Sequence, residues 1–143
     1  FVAEAQSGDD PLVSALIAGG GNPKSEINVG CITVWIECGY LYVRYSTRWC
    51  LTETHLHVAT SLSGIPQKNG NPIPGQFDYK MKHNCVKTYK YRIPLVWSSG
   101  TILYIAAHAV VFNPCECRSE TAWADGCDFP GRNWATYSIF TVH

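Results

Sequence analysis

After Ile27 the chain reads in short apolar runs that alternate with polar residues at every second position, and this pattern limits the fold more than any other feature. In "GCITVWIEC", Ile32, Val34 and Ile36 alternate with Thr33, Trp35 and Glu37, and "YLYVRYST" follows after Gly39. A period of two places one set of side chains on each face of a strand, whereas a helix needs apolar residues three and four apart. "WCLTETHLHVAT" reads as a third strand, and "CVKTYKYRIPLVW", "TILYIAAHAVVF" and "NWATYSIFTVH" as three more, with "ETAWADGC" a short element or loop before the last. The segment "SLSGIPQKNGNPIPGQFDY" is rich in proline, glycine and asparagine and predicts a long loop without regular structure. Six or seven strands and no amphipathic helix of ordinary length predict an all-β fold, an antiparallel β-sandwich of jelly-roll or immunoglobulin-like type.

At 143 residues the chain suits one domain with a core of its own. Eleven Lys and Arg balance eleven Asp and Glu, so no overall field attracts nucleic acid or an anionic membrane. The longest apolar stretch, "PLVSALIAGGG", is too short and too glycine-rich to span a bilayer. Seven cysteines stand at Cys31, Cys38, Cys50, Cys85, Cys115, Cys117 and Cys127. Their spacings form no paired zinc knuckle, so a disulfide framework of undetermined pairing is expected, with the odd thiol free or bonded to another chain. Such usage points to an oxidising compartment. The sequence opens at Phe1 with no signal peptide, the form expected of a processed secreted or cell-surface protein.

Together, "TETHLHVATSLSGIPQKNGNPIPGQFDYK", "LYIAAHAVV" and "ETAWADG...FPGRNWATYSIFTV" resemble a secreted module recurring in surface proteins of archaea and bacteria. The resemblance covers roughly residues 28–143. It implies a β-sandwich and an extracellular location, and it implies no reaction. The chain departs from that module in its many cysteines and in its short N-terminal arm.

Three constellations carry candidate chemistry. Glu53, His55 and His57 alternate on one strand face with Trp49 and Leu51, at a same-face spacing of about 6.5 to 7 Å that permits convergence on Zn²⁺, with His108 a further donor. Against this stands the plainer reading of a half-exposed strand whose polar groups bond to backbone or tryptophan. Asp125, Asp128 and Glu120 around Gly126 offer oxygen donors for Ca²⁺, or an ordinary acidic turn. Tyr40, Tyr42 and Arg44 on one strand and Tyr89 and Tyr91 on another form ring ladders suited to a glycan or to a covering sheet. No nucleophile elbow or phosphate loop is present, so no catalytic residue is named and no enzymatic role is expected.

Residues 1–27 form the arm, a candidate donor strand, and residues 28–143 the sandwich domain. The arm's apolar run, with Leu12, Val13, Leu16 and Ile17 as contact residues, cannot build a core alone and must pack on its own domain or on the next copy. Head-to-tail packing that does not close makes a filament. The expected function is therefore a non-enzymatic extracellular structural protein that polymerises with itself through the arm. A carbohydrate- or cell-surface-binding module is the alternative.

Overall fold

The computed structural model describes residues 11–19 and 26–143. Ten strands follow in chain order: β1 (Leu12–Ala18), β2 (Ile27–Glu37), β3 (Tyr40–Ala59), β4 (Gln67–Lys68), β5 (Asn71–Pro72), β6 (Tyr79–Pro94), β7 (Ile102–Asn113), β8 (Arg118–Ala124), β9 (Cys127–Asp128) and β10 (Thr136–Thr141). No α-helix occurs among the described residues, and every strand pair is antiparallel. The all-β antiparallel class read from the sequence is the class the chain adopts.

The runs "YLYVRYST" and "WCLTETHLHVAT" are one continuous strand of 20 residues, not two. β6 borders this strand on one edge along most of its length. The other edge is shared: β2 takes Tyr40–Thr47 and β7 takes Cys50–Ala59. β1 then pairs with both β2 and β8, and β8 with β7, so the circuit β3–β2–β1–β8–β7 returns to β3. An odd number of straight antiparallel strands cannot close, because the chain direction would come back inverted. The circuit closes because β3 bends between its halves and folds the β2–β1 half over the β7–β8 half. Leu16, Ile32, Val34, Leu41, Val43, Tyr45, Leu56, Ile105 and Val111 fill the space between and are buried.

The bend has identifiable causes. Register shifts fall between Ser46 and Leu51 and between Leu51 and Glu53, and a bulge sharpens local twist. Thr47, buried at the corner, donates to the Val29 carbonyl at 2.9 Å and accepts the Trp49 N–H at 3.1 Å. Gly30 sits where β2 leaves the corner, and a Cβ there would lie 1.9 Å from the Ser46 carbonyl oxygen. The Cys50–Cys85 disulfide ties β3 to β6 just past the bend.

Of the two placements open to the arm, its own domain or the next copy, the single chain shows the first. Leu12–Ala18 is a central strand of its own chain's sheet, with Leu16 and Ala18 in the core. Residues 1–10 and 20–25 of the arm lie outside the described residues. The loop after β3 is not wholly irregular, because β4 and β5 form a small hairpin on Asn69-Gly70, both at positive φ (55° and 79°). Asn-Gly is the preferred two-residue hairpin turn.

Replacing Gly30 by Ala forces the corner apart and is expected to cost about 2–3 kcal/mol, measured as a lowered denaturant midpoint. Reducing Cys50–Cys85, which spans 35 residues, is expected to remove about 3–4 kcal/mol by freeing the unfolded chain.

Candidate functional site

The outer face of the β3–β7–β8 half carries the first constellation. Past the bulge at Thr52 the alternation inverts: Leu51 joins the core with Thr54 and Leu56, while Glu53, His55 and His57 point away from it. Leu51 therefore does not share their face, as a straight strand requires. His55 lies opposite His108, and His108 opposite Trp123, which makes a row across three strands.

Loops cover this face. Ile65 and Phe77 from the segment after β3, and Phe129 and Ala135 from the segment before β10, pack on Ala106 and Trp123 as a second apolar cluster. The β4–β5 turn docks on the second segment: the Gly131 N–H donates to the Gly70 carbonyl at 2.9 Å, and the Asn133 N–H to Asn71 Oδ1 at 3.0 Å. His57 and His108 are consequently buried, each 7% exposed.

The hydrogen bonds fix tautomers. The Asp78 N–H donates to His57 Nδ1 at 3.1 Å, so that nitrogen is unprotonated and its 3.8 Å approach to the Asp78 carboxylate is not an ion pair. His55 Nε2 lies 3.4 Å from Glu53 Oε1, which accepts only, so Nε2 carries the proton. His55 Nδ1 then accepts from His108 Nδ1–H at 3.0 Å. Burial, with the facing His55 ring second, pushes His108 down to about 3. Burial also lowers His55 against the opposing pull of Glu53. The result is a carboxylate–imidazole–imidazole chain with both rings neutral and a single hydrogen bond joining them.

The structure brings Glu53, His55 and His108 together and takes His57 elsewhere, to Asp78 and the Phe77 ring. Among the described residues no group of three or more His, Cys, Asp or Glu is arranged to hold a metal ion. Asp125 and Asp128 line one hollow of about 230 Å³ with Glu26, Trp123 and Trp134. Glu120 is not there; it binds the Arg118 guanidinium at 3.0 Å.

The tyrosine ladders separate. Tyr91 is core, edge-on to Tyr45 and Tyr89, and its hydroxyl meets Thr54 Oγ1 at 2.6 Å. Tyr40 and Tyr42 stay on the outer face of the other half, where Trp35 stacks on Tyr42. The sequence reading missed Trp35 as their partner. The two-residue Cys38-Gly39 turn sets that register and places Trp35 opposite Tyr42.

Of the seven cysteines only Cys50 and Cys85 are bridged. Cys31, Cys38, Cys115, Cys117 and Cys127 are thiols, all exposed but the half-buried Cys31, so the expected wider framework does not form within the chain. The single bridge fits an oxidising compartment. No helix among the described residues is long and apolar enough to cross a membrane. Comparison with protein families, curated proteins and solved structures gives no match.

Because His108 is held far below the ordinary value of about 6.5, its folded form binds fewer protons than its unfolded form. Stability is full above pH 6.5 and falls as pH drops toward 3, by up to about 1.4 kcal/mol per pH unit. His55 adds to the slope in the same direction. His108→Phe is expected to flatten this descent in denaturation midpoints measured from pH 7 to 4.

Proposed function

We propose that this protein is a non-enzymatic, extracellular structural subunit that assembles into a fibre by exchanging β1 between copies. One observation carries the reading: β1 occupies a slot between β2 and β8 that the fold requires and that its own chain reaches only through a short link. Emptying the slot would open two strand edges and expose the seats of Leu16 and Ala18, the former worth about 2 kcal/mol.

A strand from a neighbour with the same sequence makes the same hydrogen bonds and fills the same seats. Only the link differs between the closed form, in which the chain fills its own slot, and the exchanged form. That link begins Gly19-Gly20-Gly21-Asn22-Pro23, a composition that tolerates an extended path, and exchange of an identical element costs little when its hinge is permissive. An exchange that runs from each copy to the next, without returning, yields an open polymer. The exposed thiols at Cys38, Cys115, Cys117 and Cys127 give such a polymer groups for covalent joining in an oxidising medium. The bridged Cys50–Cys85 pair agrees with life outside the cell.

Ala15 faces Cys31 directly across β1 and β2, which makes the origin of β1 measurable. With Cys38, Cys115, Cys117 and Cys127 replaced by Ser, Ala15→Cys is expected to give a ladder of covalent multimers on a non-reducing gel, because each new thiol bonds to Cys31 of the copy that receives its strand. A single monomer band with an internal bridge would mean that the strand stays on its parent chain.

A further inference from the structure

The outer face of β2, the first half of β3 and the last part of β6 bears rings and cations in one array. Trp35 and Tyr42 stack with centroids 5.1 Å apart and planes 15° from parallel. The Arg44 guanidinium lies 5.2 Å from the Trp35 ring centre, the Lys90 ammonium 5.0 Å from that of Tyr42, and the Arg92 guanidinium 4.5 Å from that of Tyr40. Each contact is a cation–π interaction that restrains a long side chain. Among the described residues none of these three cations is in an ion pair. In a chain of zero net formal charge, this face gathers, among the described residues, three cations, Arg44, Lys90 and Arg92, against the carboxylate of Glu37.

Beside the array is a cleft of about 410 Å³ lined by Pro11, Thr33, Trp35, Ile36, Glu37 and Arg44. Its volume is within the range of small-molecule sites, and its wall is half polar and half apolar, with Thr33, Glu37 and Arg44 beside Pro11, Trp35 and Ile36. Arg44 and Glu37 stand in it together, and Glu37 Oε1 is held by the Trp35 indole N–H at 3.2 Å. A ligand that satisfies both presents an anion to the first and a hydrogen-bond donor, such as a hydroxyl, to the second.

We propose that this face binds an acidic polysaccharide. A uronic-acid unit sits in the cleft, its carboxylate on Arg44 and its hydroxyls on Glu37 and Thr33, while Lys90 and Arg92 neutralise the carboxylates of neighbouring units. Same-face neighbours on a strand recur about every 6.5 to 7 Å, so the cations form a row that one anion cannot use and a chain of anions can. Single-stranded nucleic acid is the poorer match, because it gains affinity by stacking bases on open rings, and here the ring faces are taken by one another and by the cations. A bare polyphosphate has no donor for Glu37 and is repelled by it. The rings and cations lie on β2, β3 and β6, and only Pro11 of the cleft wall comes from the arm; an exchanged β1 brings the same Pro11 from the neighbouring copy, so the site forms with or without strand exchange.

The test is affinity electrophoresis of the full chain in gels containing polygalacturonate, polyphosphate, single-stranded DNA or neutral dextran, at low and physiological ionic strength. Polygalacturonate is expected to retard the protein, less so at higher salt, and at least roughly tenfold more tightly than the other three polymers, about 1.4 kcal/mol. Arg44→Gln with Arg92→Gln removes most of the retardation. Trp35→Ala weakens it by roughly threefold at unchanged charge, because the ring no longer holds Arg44. Unchanged denaturation midpoints in the double variant exclude unfolding as the cause. Equal retardation by polyphosphate or DNA would reduce the face to a general basic patch and overturn the proposal. So would equal retardation by dextran, full binding by the double variant, or no retardation by polygalacturonate.

Discussion

The bend in β3 is the constraint on which the rest of the molecule depends. A single edge of one strand serves two neighbours in succession, β2 and then β7. Everything beyond each neighbour follows that division: β1 belongs to one half, β8 to the other, and they meet only because the corner turns one half over the other. The apolar core is therefore bounded by one continuous sheet, and its sealing strand is β1. Thr47, Gly30 and the Cys50–Cys85 bridge all lie within a few residues of the corner or of its partners. A change that straightens β3 separates the halves and takes β1 out of reach of β8.

The class of fold was legible because period two is a local property. Ile32, Val34, Leu41, Val43, Ile105 and Leu103 are buried where alternation puts them. The corner was not legible, because a bulge is a misalignment of two strands and only one strand is read at a time. Its effect is visible at Leu51, assigned by counting to the face of Glu53 and His55 and found in the core. Burial of the histidines was likewise hidden, since Ile65, Phe77 and Phe129 lie in segments whose prolines and glycines read as plain loop. The Asn69-Gly70 hairpin was readable in principle, the dipeptide being a turn signal with a known backbone requirement. Tyr42 and Tyr91 look alike in sequence, and their fates differ because one strand face meets the core and the other does not.

The two faces of the sheet have been used differently. Over the β7–β8 half, loops build a second apolar layer, and the polar residues beneath it settle their hydrogen bonds among themselves, ending in a histidine too buried to take a proton at neutral pH. The imidazole pair, joined by one hydrogen bond, can lock two strands in register; burial keeps His108 from solvent, while Glu53 and His55 line an open hollow with Lys80, Met81 and Lys82. Over the β2–β3 half no loop intervenes among the described residues, and the rings are sheltered only by cations lying on them.

These cations distinguish a surface from an unfinished interior. Had Trp35, Tyr40 and Tyr42 been meant for another sheet, aliphatic neighbours would serve them better than Arg44, Lys90 and Arg92, because burying three unpaired cations against a partner is prohibitive. A wet face with fixed charges can instead meet an anion without ordering its side chains anew, so the conformational entropy that a flexible lysine or arginine loses on binding is already spent in folding. The same arrangement disfavours edge-to-edge growth along β6, since strand edges rich in lysine repel one another. The proposed strand exchange through the slot of β1 needs no contact along this β6 edge.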